Sequence, residues 1–297
     1  MKRYKKTLLS LLLAAALLLT AALPALAAGA SNDPNVYLNR GGYVSDDGSF
    51  VDTDTVVTFD PASGRLTVDD RGNVVPICDE AAFLDWIRSV APGVKTVYLP
   101  KTSELANFSL DEEGDAYASR VFWKAFSYLT NLERFEVEKG SRFFEAKDGV
   151  LYTPHCFDLV HYPAAKPDKT YGIDKWCLLS IYPYAFCNTR FLERVSFPYS
   201  RAAGVNFLMV EAYAFSAMDP ATGEAVPSSI KAFDFYGSKE EFDSFISLYE
   251  GNDAAKNAEV NCLGTDWLHD LLTYVRVNYF VYFLLQLSWM RYMFPGN

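Results

Sequence analysis

Apolar positions along this chain recur in a fixed two-part order. Val121-x-x-x-Ala125-Phe126 is followed by Leu132-Glu133-Arg134-Phe135-Glu136-Val137, and the order returns as Ile181-x-x-x-Ala185-Phe186 and Leu192-Glu193-Arg194-Val195-Ser196-Phe197. Every matched position lies sixty residues on: 121 to 181, 126 to 186, 132 to 192. A third copy begins at Val210-x-x-x-Ala214-Phe215 and finishes at Ile230-x-x-Phe233-x-Phe235. Its halves are held apart by residues 218–228, an insertion rich in Pro, Gly and Ala. Val94-x-x-Val97-x-Leu99 reads as the second half of an earlier, degenerate copy. Apolar-x-x-apolar-x-apolar predicts a turn residue and then a short strand whose alternate side chains point inward. Ala-Phe predicts the back of each coil, with Ala where two turns approach closely and Phe filling the space between layers. One unit cannot bury its own apolar face. Stacked units can, which predicts a solenoid with strands lined along one side.

The flanking pattern supplies ends for this array. Residues 29–78 have Asp/Gly-rich turns around apolar runs at 55–59 and 65–68, which predict a small β hairpin. Asp79 caps a predicted helix over 80–90, with Phe83, Trp86 and Ile87 on one face, placed to cover the open end of the core. Ser238-x-x-Glu241 is a capping box opening a helix to about Leu248, with Phe242, Phe245 and Ile246 inward, and residues 258–262 predict a closing strand. The organisation expected is a leader at 1–28, a β-rich segment at 29–78, a capped repeat array at 79–262 and a hydrophobic, aromatic C-terminal helix at 263–297.

These residues resemble a known family, the leucine-rich repeat of bacterial surface proteins of the BspA type. Its motif reads roughly I-x-x-x-A-F-x-x-C-x-x-L-x-x-I-x-I-P. The resemblance extends to Asp148-Gly149-Val150-Leu151-Tyr152 and Leu159-Val160-His161-Tyr162-Pro163, similar to that family's "DGVLY…LvxYP" linker turn, and to Phe235-Tyr236-Gly237-Ser238 with its short helix, similar to a last repeat. It covers about residues 94–262. The chain departs from the pattern at the cysteine slot, held by Leu129, Thr189 and Met218. The resemblance implies an α/β, strand-rich leucine-rich-repeat solenoid, short and somewhat irregular, with capping helices and a C-terminal helix. It also implies a binding scaffold and no catalyst.

The first 28 residues change the picture of where the chain works. Residues 1–6 are basic, residues 8–19 are a Leu/Ala run, Pro24 breaks it, and Ala25-Leu26-Ala27 is an A-x-A cleavage site. That is the pattern of a secretory signal, removed near Ala28. The segment holds four bases and no acid, so the net charge of −10 becomes 23 − 37 = −14 once it is gone. Such a chain repels phosphate backbones, and no nucleic-acid partner is expected. Five cysteines (Cys78, Cys156, Cys177, Cys187, Cys262) are odd in number and irregularly spaced, without C-x-x-C, so buried thiols with at most one or two bridges are expected. His155 beside Cys156 lacks a third group to orient the imidazole. His155, His161 and His269 have no metal-ligand spacing, so neither metal nor cofactor is expected.

From Trp267 to Phe294 no Gly or Pro interrupts an aromatic-rich run. Only 14 residues separate Arg276 from Arg291, a helix of about 21 Å against a hydrocarbon core of about 30 Å. An interfacial or partner-binding helix is expected there, through Trp267, Leu271, Tyr279, Phe283 and Trp289, while packing back on the array is the alternative. The function expected is a secreted or cell-surface recognition or adhesion scaffold that binds a host or microbial protein or glycan. A structural envelope protein tethered to a membrane surface or self-associated through its tail is the second reading, and a glycan-active enzyme the third. The binding face expected is the ribbon of outward strand residues: Thr96, Tyr98, Arg134, Glu136, Arg194, Ser196, Ala232 and Asp234.

Overall fold

The computed structural model describes residues 33–39, 42–44, 50–52, 54–70, 77, 79–105, 117–156, 158–173, 180–197, 209–235, 237–263 and 275. The leader, Cys78, Cys177 and the tail residues Trp267, Leu271, Tyr279, Phe283 and Trp289 lie outside them. The described chain is strand-rich mixed α/β, with several sheets and few helices.

The first sheet begins with β1 (Val36–Asn39); β2 (Gly42–Val44) and β3 (Phe50–Asp52) form a separate hairpin. β4 (Thr55–Asp60) and β5 (Arg65–Asp69) are the hairpin expected from the turn chemistry of 60–64. Its second strand pairs in parallel with β6 (Thr96–Leu99), which pairs in parallel with β7 (Arg134–Val137). The register Leu66↔Val97↔Phe135 puts one buried apolar side chain of each strand on the same inner line. The hairpin is thus continuous with the repeat strands and shares their core. Helix α1 (Glu80–Val90) closes that core as predicted: the Asp79 carboxylate accepts from the Ala82 amide at 2.9 Å, and Phe83, Leu84, Ile87 and Val90 are buried.

The Ala-Phe segment of the first copy is helical, in α2 (Tyr117–Ser127), whereas the second and third copies turn there. Pro183 stands where the first copy has Trp123, and it cannot continue a helix interior. Next, β8 (Glu145–Lys147), β9 (Val150–Tyr152) and β10 (Asp158–His161) form an antiparallel meander, which is the "DGVLY" segment.

Beyond it the chain builds two parallel ladders at once. One contains β11 (Thr170–Gly172), β13 (Arg194–Phe197), β15 (Ala232–Phe235) and β16 (Glu259–Cys262), in register Tyr171↔Val195↔Phe233↔Val260. The other adds β12 (Ser180–Ile181) and β14 (Met209–Val210) to β10, in register Leu159↔Ile181↔Val210. Segments sixty residues apart are therefore not adjacent in a ladder. β7 and β13 are not neighbours, and β11 leads the ladder that contains β13. The segment read as a linker is itself a rung. Tyr162 takes the Phe slot: its amide donates to the Ala185 carbonyl at 2.7 Å, just as the Phe186 amide donates to the Ala214 carbonyl at 2.7 Å.

The interior is an aromatic column. Tyr162 stacks on Phe186 (5.4 Å between centroids, 25°), and Phe186 stacks on Phe215 (5.0 Å, 10°). Ala125, Ala185 and Ala214 are fully buried, as close approach of the turns requires. The far end is closed by α3 (Lys239–Ile246), where the Ser238–Glu241 capping box is made in both directions and Phe242, Phe245 and Ile246 are buried. α4 (Asp253–Lys256) follows, and β16 ends the ladder. The insertion at 218–228 folds on itself through a Met218–Ala225 bridge, and its Pro220 carbonyl accepts from Arg88 Nε on α1 at 2.8 Å.

Candidate binding face

Parallel register sets the outward side chains of the strands in rows, and the expected ribbon falls into two clusters on two sheets. In the first, Arg65, Thr96 and Arg134 are partners, as are Thr67, Tyr98 and Glu136. The Arg65 guanidinium lies 3.8 Å above the Tyr98 ring and 3.7 Å from the Glu136 carboxylate, which Arg134 Nε also meets at 2.8 Å. One carboxylate therefore meets two guanidiniums, of which Arg65 lies over the Tyr98 ring. In the second cluster, Arg194 pairs with Asp234 at 2.5 Å, and Asn261 Nδ2 donates to the same Asp234 oxygen at 2.9 Å. Ser196 lies beside them, in register between Gly172 and Asp234.

Two of the expected residues do not reach solvent. Thr96 is only 5% exposed and Ala232 only 4%, so neither offers a ligand any surface. Both occupy the first position of a strand, where Arg65 and Arg134 flank Thr96, and Arg194 and Glu259 flank Ala232. Tyr98 is half-buried, and one face of its ring is taken by Arg65. The residue that the sequence reading passed over is Arg65, although Arg65-Leu66-Thr67-Val68 alternates in the same way as Arg134-Phe135-Glu136-Val137.

A second row runs along the turn that leads into each strand. The amides of Glu193 and Lys231 donate to the carbonyls of Lys169 and Glu193 at 2.8 and 2.9 Å, so these three side chains stack with alternating charge. Glu193 meets Lys169 at 3.7 Å and Lys231 at 3.9 Å. Such solvent-exposed pairs are worth about 0.2–1 kcal/mol each, too little to hold the fold together and cheap for a polar ligand to rearrange. The face carries both signs in close alternation.

The described thiols sit in separate surroundings. The Cys156 thiol donates to Glu145 Oε1 at 2.7 Å, and His155 is exposed with a left-handed backbone (φ 63°). Cys187 is a buried free thiol: burial pushes it up to about 11, with Ser216 Oγ at 3.2 Å opposing that shift. Cys262 is an exposed free thiol. Among the described residues, no three His, Cys, Asp or Glu side chains gather as a metal site, and no helix is long and apolar enough to cross a membrane.

No family model matches the chain, and no curated protein matches it. Among solved structures, it is similar to a leucine-rich repeat protein from Eubacterium ventriosum, at 18% identity and a TM-score of 0.31 over 49% of this chain and 37% of that one. It is also similar to the pneumococcal vaccine antigen PcpA, at 13% identity and a TM-score of 0.28 over 57% of this chain and 56% of that one. In both cases the chain spans well under two thirds of the other protein.

Proposed function

We propose that this chain is a secreted or cell-surface recognition scaffold, a short leucine-rich-repeat solenoid of the BspA type that binds a protein or glycan without catalysis. The observation that carries the reading is the parallel register of β11, β13, β15 and β16. It turns a repeating sequence into a repeating row of outward polar side chains, and a stack of identical backbones makes a surface whose chemistry varies only by side chain. The salt-bridged clusters around Glu136 and Asp234 are the contact points, since each holds a guanidinium half-exposed and ready to exchange its carboxylate partner for a ligand's. Export rests on the leader at residues 1–28.

A screen of the full mature chain against glycans and extracellular-matrix proteins tests this reading. An Arg134→Ala/Arg194→Ala variant should fold normally and bind the ligand so found roughly tenfold more weakly, a loss of about 1.4 kcal/mol. Unchanged affinity would move the site off the strand face.

A further inference from the structure

A cleft of about 490 Å³ opens between the turns of the second and third copies and the helices α1 and α2, beside the end of β14. Its wall is aromatic. Tyr184 and Tyr213 hold equivalent places, each immediately before an Ala-Phe pair, and their rings stack at 5.3 Å with only 6° between planes. Both residues sit in the left-handed region (φ 61°), which costs a bulky side chain on the order of 1–3 kcal/mol. Gly251 lies against the Tyr213 ring so closely that a Cβ there would come within 2.2 Å of it. Tyr249, 43% exposed, stands at the rim.

Carboxylates reach the same cleft from separate parts of the chain. Glu80 comes from the first turn of α1, Glu211 from the turn after β14, and Glu250 from the segment after α3, while Lys124 of α2 is the one base lining it. Burial first, and then the neighbouring Glu250 carboxylate, raise the Tyr213 phenol above its ordinary value. Glu211 accepts from Ser180 Oγ at 3.2 Å. Among the described residues, neither Glu80 nor Glu250 makes an ion pair. With three carboxylates against one base, the lining of the recess is net negative, which favours a cation over an anion. Aromatic rings add attraction for a cation and none for an anion.

We propose that this cleft is a binding site for an ammonium or guanidinium group, separate from the strand face. Two sources present that chemistry, the basic side chains of a protein partner and a free polyamine, and they are distinguished by which probe binds more tightly.

The test is calorimetric titration of the full chain with the peptide acetyl-Gly-Arg-Gly-amide, with the same peptide carrying neutral citrulline in place of arginine, with spermidine and with chitotriose. The arginine peptide should bind roughly tenfold more tightly than the citrulline peptide, a difference of about 1.4 kcal/mol. Glu250→Gln and Tyr249→Ala, both changes of exposed side chains, should each weaken it several-fold, while Glu240→Gln on α3 and Arg134→Ala on the strand face leave it unchanged. Tighter binding of the peptide than of spermidine identifies a protein source, and the reverse order a polyamine. Equal binding of the arginine and citrulline peptides would overturn the proposal. So would equal loss in Glu240→Gln and Glu250→Gln, which would mean net charge alone, or a preference for chitotriose. Because Arg134→Ala/Arg194→Ala weakens the strand face and spares this cleft, failure of one reading is distinguishable from failure of the other.

Discussion

Acid should destabilise this protein through one side chain in particular. His161 is fully buried at the end of β10, packed edge-on between the rings of Phe126 (5.9 Å) and Phe135 (5.6 Å), with neither ring nitrogen hydrogen-bonded. Burial lowers its pKa from 6.5 to about 3. In the unfolded chain the imidazole takes a proton near pH 6.5, and in the folded chain it does not. Its contribution is therefore neutral above pH 6.5, and stability is lost as pH falls from 6.5 towards 3, at about 1.36 kcal/mol per pH unit. At pH 4.5 the native state forfeits about 2.7 kcal/mol from this residue, a large share of the 5–15 kcal/mol typical of a domain. Urea unfolding at pH 7.5 and pH 4.5 measures it. His161→Phe and His161→Leu should lose about 2.7 kcal/mol less than the wild type between the two pH values, because carboxylate effects common to all three chains cancel. At pH 7.5 the variants should be at least as stable as the wild type, having shed two unpartnered polar atoms. If the wild type and both variants show the same difference between pH 7.5 and 4.5, the imidazole is solvated or paired, and the reasoning fails.

Three further outcomes can be measured. His155→Gly relieves a left-handed non-glycine backbone worth about 1–2 kcal/mol but forfeits the imidazole's own contact, so the urea midpoint should rise by less than that relief alone would give. Asn252→Ala should cost about 3 kcal/mol, because its buried amide both accepts from the Phe215 amide at 3.0 Å and donates to the Glu211 carbonyl at 3.1 Å; a loss under 1 kcal/mol would contradict that role. Removing residues 264–297 should abolish flotation with anionic liposomes or self-association in light scattering, and identical soluble monomers with and without the tail would reject the expected role of Trp267 and Trp289.

The strands were legible because their inward residues must be apolar and must alternate, which leaves a mark every second residue. Phe135 and Val137, Val195 and Phe197, and Phe233 and Phe235 all carry it and are all buried or half-buried. The caps were legible for a different reason: Asp79 and Ser238–Glu241 satisfy backbone amides by local chemistry alone. The rung at β11 was missed because its inward pair is Tyr171 and Ile173 around a glycine, and because Tyr162, not Phe, fills the layer behind it. The helix α2 was missed because the same Val-x-x-x-Ala-Phe spacing fits a helix turn and a tight turn equally well until Pro183 forbids one of them. Outward residues leave no such mark. Thr96 and Arg134 are register partners on adjacent strands and look alike in the pattern, yet the first is buried and the second exposed.

The strand side and the turn side of the chain are built under different constraints. Register fixes the strand side, so every residue there lies beside a strand neighbour, and its chemistry is a row of pairs such as Arg134–Glu136 and Arg194–Asp234. The turn side is free to differ between copies. It carries Lys124 on a helix in the first copy, Tyr184 and Tyr213 on strained turns in the next two, and an eleven-residue insertion (218 to 228) after the last. That insertion reaches Arg88, which also stacks over Tyr128 (4.6 Å) and receives support from Asp85 at 2.6 Å. Asn188 adds a second tie, donating to the Ser127 carbonyl at 2.9 Å and accepting from the Met218 amide at 2.7 Å. A purely stacked array couples only nearest neighbours. Here the third copy is bonded to the first helix and the second copy to both of its neighbours, so loosening one of these segments breaks contacts in the others.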